Sequence, residues 1–124
     1  MLKMISCVRR LPGLSRAAFD MHWREEHAAL IRKYQGALRI RRYVQSVPLA
    51  DTAVQAALER GRGTEPVDFD GCAELWWDDL DAHLAARTTP EGAEALRLVM
   101  EDERRFVDLK RSQLWYATER LIVS

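Results

Sequence analysis

The stretch Ser15 to Tyr34, SRAAFDMHWREEHAALIRKY, constrains this chain most. At about 100° per residue, Phe19, Trp23, His27, Leu30 and Tyr34 fall within roughly an 80° arc, while Arg24, Glu25, Arg32 and Lys33 lie largely outside it. The pattern predicts an amphipathic helix whose buried stripe carries one imidazole. Ser15 can cap the first turn with its hydroxyl. Pro12-Gly13 marks the turn that delivers the chain, and Gly36 is the expected stop.

The flanking segments alternate instead. Leu2–Arg9, Arg39–Pro48, Phe69–Asp78 and Leu114–Val123 read as strands with period two. Pro48 has no N–H for a ladder and should end the second. The third is apolar on both sides, as expected of a central strand. Between the second and third, Asp51–Arg60 reads as a short helix capped by Asp51 and stopped by Gly61, then a loop over residues 61–68. Asp79–Arg87 starts a second main helix, and Thr89-Pro90 restarts it as cap and first position. The order β-α-β-(short α)-β-α-β predicts an α+β fold. Its form is the ferredoxin-like βαββαβ arrangement, a four-stranded antiparallel sheet with helices on one face. The chain, residues 1–124, reads as one domain, with no repeat or linker. The uncovered sheet face, which should carry some of Trp76, Tyr43, Met4 and Leu121, is an expected association surface.

Composition excludes several classes. Nineteen basic and nineteen acidic residues give a formal net charge of zero, which argues against a nucleic-acid binder. No apolar run approaches membrane-spanning length and no signal peptide is evident, so a soluble cytoplasmic protein is the expectation. Cys7 and Cys72 lack zinc-type spacing and read as reduced, buried thiols. Phosphate loops, nucleophile elbows and dinucleotide fingerprints are absent. His22 and His27 are five apart, roughly 140° around an α-helix, whereas the zinc motif H-E-x-x-H needs four; no metal site is expected. His83 reads as a surface residue of the second helix.

Several residues could line a ligand pocket. His27 is on the buried stripe, where a neutral imidazole can act as acid or base; it could equally be a core histidine satisfied by a carbonyl. His22 is on the margin of the stripe. Trp23 and Trp76 are large enough to wall a cavity for an aromatic ligand. Tyr43 could donate its phenolic proton to a carbonyl. Glu74, a carboxylate in an apolar strand, should either pair with an arginine such as Arg42 or keep a raised pKa and work as an acid or base.

The sequence resembles the EthD-like family of the dimeric α/β-barrel proteins. The matching pieces are the PGLS turn, F-x-x-H-W-x-x-x-H (Phe19, His22, Trp23, His27), Arg42-Tyr43-Val44-Gln45, FDGCAELWW, the TPEG restart and EDERRFVD, which contains Phe106. The resemblance implies a homodimer whose sheets face each other, a pocket between sheet and helices in each subunit, and no metal or organic cofactor. The resulting expectation is a cofactor-independent enzyme. It would perform acid/base proton transfer, as in dehydration, cyclisation or isomerisation, on a small carbonyl-bearing or aromatic compound. His27, Tyr43 and Glu74 would be catalytic, and His22, Trp23, Trp76 and Phe106 would contact substrate. The rivals are a non-catalytic binder or accessory protein using the same pocket and, more remotely, a haem-handling protein, since a lone pocket histidine can ligate iron.

Overall fold

A computed structural model describes residues 1–124. Its four strands, β1 (Leu2–Val8), β2 (Arg42–Ser46), β3 (Gly71–Trp77) and β4 (Gln113–Thr118), form one sheet in the order β2-β3-β1-β4. Every pairing is antiparallel. This is the expected α+β, ferredoxin-like topology, with β1 and β3 central.

Register fixes which side chains share a face, because side chains alternate along a strand. Lys3, Ile5 and Cys7 stand opposite Trp76, Glu74 and Cys72, and Ile5 also opposite Trp115; these form the uncovered face. Met4, Ser6 and Val8, with Tyr43, Ala73, Leu75, Trp77 and Leu114, form the other, beneath the helices. Of the residues expected on the open face, Trp76 is there, whereas Met4 and Tyr43 face inward. Leu121 lies beyond the sheet and is exposed. The reason is that Thr118 pairs with Leu2, the first residue of β1, so the chain after it has no neighbour to pair with.

The first helical stretch comprises α1 (Arg16–Met21), a π-helical segment (His22–His27) and α2 (Ala28–Leu38). Ser15 caps it as expected, its hydroxyl accepting from Ala18 N–H at 3.0 Å. The helix runs through Gly36 and stops at Arg39, which adopts the left-handed conformation with φ 56°. The extra turn buries Leu38 and sets its carbonyl to accept from the Trp77 indole at 2.9 Å, tying helix to sheet. α3 (Thr52–Arg62) likewise passes Gly61 and stops at Gly63, φ 71°. α4 (Leu80–Ala86) and α5 (Pro90–Glu103) follow β3, and Thr89 caps α5 by accepting from Gly92 N–H at 3.0 Å. α2 packs against α5 over the sheet. Phe19, Trp23, Ile31, Leu75, Trp77, Val99 and Phe106 form the core between the two layers. No helix is long and apolar enough to cross a membrane.

Candidate functional site

The π-helical segment changes the geometry expected of the two histidines. In an α-helix residues five apart diverge, but i→i+5 bonding adds a residue to the turn and swings them together. The Ala28 N–H reaches back to the Trp23 carbonyl in that pattern. His22 and His27 therefore converge on one carboxylate, Asp102 of α5. His27 Nδ1–H donates to Asp102 Oδ2 at 2.9 Å, and His22 Nε2–H donates to Oδ1 at 3.0 Å. Arg105 adds a third donor to Oδ1 at 3.3 Å. Asp102 is only 3% exposed. Burial pushes its carboxyl up, but the hydrogen bonds from His27 and His22 and their charges outweigh this and hold it below the ordinary value. An ionised carboxylate can only accept, so Nδ1 of His27 is the protonated nitrogen and Nε2 the free one.

Nε2 faces an internal cavity. His27 makes no hydrogen bond through Nε2, yet no sealed polar side-chain atom lacks a partner, so Nε2 is reached from the cavity that His27 lines. This cavity, about 220 Å³, lies between the inner sheet face and the helices. Sixteen of its twenty-one lining residues are hydrophobic, so each polar group in it counts. Burial lowers the His27 pKa, the adjacent Asp102 opposing and His22 reinforcing the shift. Glu103 also lines the cavity, and burial raises its pKa against the opposing charge of Arg104. Tyr43 Oη accepts from Gln45 Nε2 at 3.1 Å, and burial raises its pKa as well. An apolar chamber with a free imidazole nitrogen and a carboxyl whose pKa burial raises can exchange protons with a bound molecule.

His27, Tyr43, Trp23 and Phe106 all line the cavity. Trp23 packs so closely on Gly71 that a Cβ there would overlap its ring. Glu74 and Trp76 are not brought to it: the register turns both to the opposite face of the sheet. There Glu74 forms its ion pair with Lys3 rather than Arg42, while Arg42 lies over the Trp76 ring, 4.9 Å from its centroid. His22 stands behind the cavity wall, between Asp102 and Glu26, with Nδ1 2.9 Å from Glu26 Oε2. His83 is not a surface residue. It is 6% exposed, lines the cavity and packs on Trp77 with ring centroids 4.1 Å apart. Cys7 and Cys72 face each other across β1 and β3 as half-buried free thiols, and burial with the neighbouring thiol pushes Cys72 up to about 11.

Sequence reasoning missed Asp102 and Glu103. Both continue the α5 stripe of Ala95, Leu96 and Val99 at helical spacing, the same signal that singled out His27. His22, Glu26 and Asp102 bring one ligand atom each within 4.8 Å of one another. Both His22 nitrogens already face carboxylates and Arg105 donates to Asp102, so hydrogen bonding accounts for the cluster.

Comparison with known proteins agrees with this architecture. The model of the EthD domain matches residues 11–110. A solved structure of an ethyl tert-butyl ether D (EthD) family protein from Bacillus halodurans is 23% identical, with a TM-score of 0.64 over 97% of this chain and 99% of that one. A dimeric ferredoxin-like protein of unknown function from Thermobifida fusca gives 11% identity and 0.58 over 95% and 90%. An antibiotic biosynthesis monooxygenase gives 14% and 0.52 over 97% and 99%. Among curated proteins, none matches the sequence. The family match covers most of the chain, and the ferredoxin-like likeness spans nearly all of it, so this chain belongs to the EthD domain family.

Proposed function

We propose that the protein is a cofactor-independent enzyme that moves a proton on a small carbonyl-bearing or aromatic compound, in a dehydration, cyclisation or isomerisation. The observation that carries this reading is the His27–Asp102 pair, with Nδ1–H held at 2.9 Å and Nε2 left free in an apolar cavity. Nε2 takes the proton from the carbon beside a carbonyl, and the electron pair of that C–H bond moves towards the carbonyl. Asp102 fixes the tautomer and stabilises the imidazolium that forms. Glu103, whose pKa burial raises, serves as the acid towards the carbonyl oxygen or a departing hydroxyl. Tyr43, which accepts from Gln45, keeps its own proton for the same oxygen.

The cavity of about 220 Å³ lies below the usual range of roughly 300–1,000 Å³ for drug-sized ligands, which favours a compact substrate. The homodimer is part of the proposal: the open face carries Ile5, Val44, Trp76 and Trp115, and burying apolar area there is worth about 25 cal/mol per Å².

The test is exchange of carbonyl-adjacent hydrogens in heavy water, followed by NMR, over a panel of compact cyclic ketones, lactones and hydroxyaryl ketones. The wild-type protein should accelerate exchange for part of the panel. His27→Gln should reduce the acceleration by roughly 100- to 10,000-fold, the usual contribution of a positioned acid or base. Undiminished exchange in that variant removes His27 from the chemistry. Saturable binding without exchange makes the protein a binder and not an enzyme.

A further inference from the structure

The cavity has a second polar end that the proton chemistry does not use. Arg87 is the one cation among the cavity-lining residues, and Glu103 the one carboxylate. They do not pair with each other, and Arg87 makes no ion pair with any carboxylate of the chain. Its guanidinium donates instead to Tyr116 Oη at 3.4 Å, beside the His83 ring. His83 Nε2 is 2.8 Å from the same hydroxyl. Arg87 is exposed although it lines the cavity, which places it at the mouth with most of its five donors free.

The two ends are anchored to opposite ends of β3. The Trp23 ring sits on Gly71 and the Leu38 carbonyl on the Trp77 indole, so the helix runs alongside β3 in the same direction. His27 follows Trp23 within the same π-helical segment, at the Gly71 end of β3. His83 packs on Trp77, at the other end of β3 from Gly71.

We propose that the cavity takes a compact apolar acid, its carboxylate held at the mouth by Arg87 with Tyr116 and its ring or chain extending inward to His27. The pairing follows from chemistry: a guanidinium with unused planar donors matches a carboxylate fork, and the walls between the ends are apolar. The proposal deepens the functional reading above, because the bound acid is the compound His27 acts on. Binding at Arg87 is nonetheless measured without turnover.

The experiment is calorimetric titration at pH 7 with benzoate, 2-naphthoate and their neutral amides, on the wild type, Arg87→Gln and His27→Gln. At least one acid should bind the wild type roughly tenfold more tightly than its amide, the order expected of a charge-assisted contact. Arg87→Gln should abolish that preference and leave amide affinity unchanged. His27→Gln should preserve it. Equal affinity for acid and amide, a preference that survives in Arg87→Gln, or no saturable binding of any probe each overturns the proposal. A preference for the acid that depends on Arg87, in a protein that catalyses no exchange, would sustain this proposal while refuting the proton-transfer reading.

Discussion

Replacement of Asp102 tests the central geometry without needing a substrate. The carboxylate is 3% exposed and accepts from two imidazoles at 2.9 and 3.0 Å. Hydrogen bonds to a charged group contribute about 1.5–3 kcal/mol each, against about 0.5–1.5 for neutral ones. Asp102→Asn can keep one bond from His27 and meet His22 with its amide, so it should lose roughly 2 kcal/mol. Asp102→Ala loses both bonds and strands the buried His27 N–H, which brings the loss to about 4 kcal/mol. The Arg105 contact, on a largely exposed side chain, adds nothing to this sum. For a chain of this length each kcal/mol moves Tm by roughly 4 °C. Thermal melts at one fixed concentration should therefore show the Asn variant about 8 °C below wild type and the Ala variant about twice as far.

The pH dependence supplies a sign. The folded state holds the Asp102 carboxyl below its ordinary 3.8. A depressed acid contributes stability that is full above the unfolded value and is lost as pH falls through the folded one. The gap between wild type and Asp102→Asn should hold or grow from neutral pH down to about 4, because Asp102 favours the protonated form of His27 over that range. It should narrow below that as Asp102 itself is protonated. An Asn variant within about 0.5 kcal/mol of wild type at pH 7, or a gap that keeps widening below about pH 4, would refute the argument that Asp102 holds the two histidines.

Three further outcomes are expected. The acid limb of kcat/KM should have its midpoint below the ordinary histidine value of 6.5, since burial lowers His27, and the limb should vanish in His27→Gln; a midpoint above 6.5 counts against His27 as the base. Gly71→Ala should lose about 1–3 kcal/mol in denaturant titration, because the new Cβ overlaps the Trp23 ring and comes 3.0 Å from the Ser46 carbonyl; unchanged stability would mean that Trp23 is not held there. The protein should sediment as a dimer at micromolar concentration and Trp115→Glu, on the open face, as a monomer; a wild-type monomer would refute the dimer.

How far the sequence could be read depended on whether a feature was local. Strand alternation, the Ser15 and Thr89 caps and Pro90 at the first helical position are written in neighbouring residues, and the topology followed from them. Helix ends were missed where tertiary contact decided them: burial of Leu38 and the bond from Trp77 carry α2 past Gly36. The faces of Glu74 and Trp76 depended on register, which alternation alone leaves free by one residue. His83 looked peripheral because it turns back onto the sheet it has just left, packing on Trp77 of β3 and reaching Tyr116 of the distant β4. Asp102 and Glu103 were legible in principle, being carboxylates on an apolar stripe. At ordinary α-helical phase, however, nothing marked Asp102 as a shared partner for both histidines.

The π-helical turn is the step that connects sequence to site. With α geometry throughout, His27 and Trp23 would still face the sheet, but His22 would point well away from them. One carboxylate could then serve only one imidazole. Widening the turn gives up favourable backbone geometry, and such segments are uncommon and concentrate where a protein has a use for them. Here the compensation is visible: two imidazoles on one buried carboxylate, with the Phe106 ring against both at centroid distances of 4.7 and 5.1 Å. His22 thus acts on the cavity at one remove. It is tied to Glu26, its Nε2 lies 3.0 and 3.1 Å from the two Asp102 oxygens, and His27 Nδ1 shares Oδ2 with it. That arrangement allows His27 only one place for its proton, at Nδ1, and leaves Nε2 without a partner in a residue that lines the cavity.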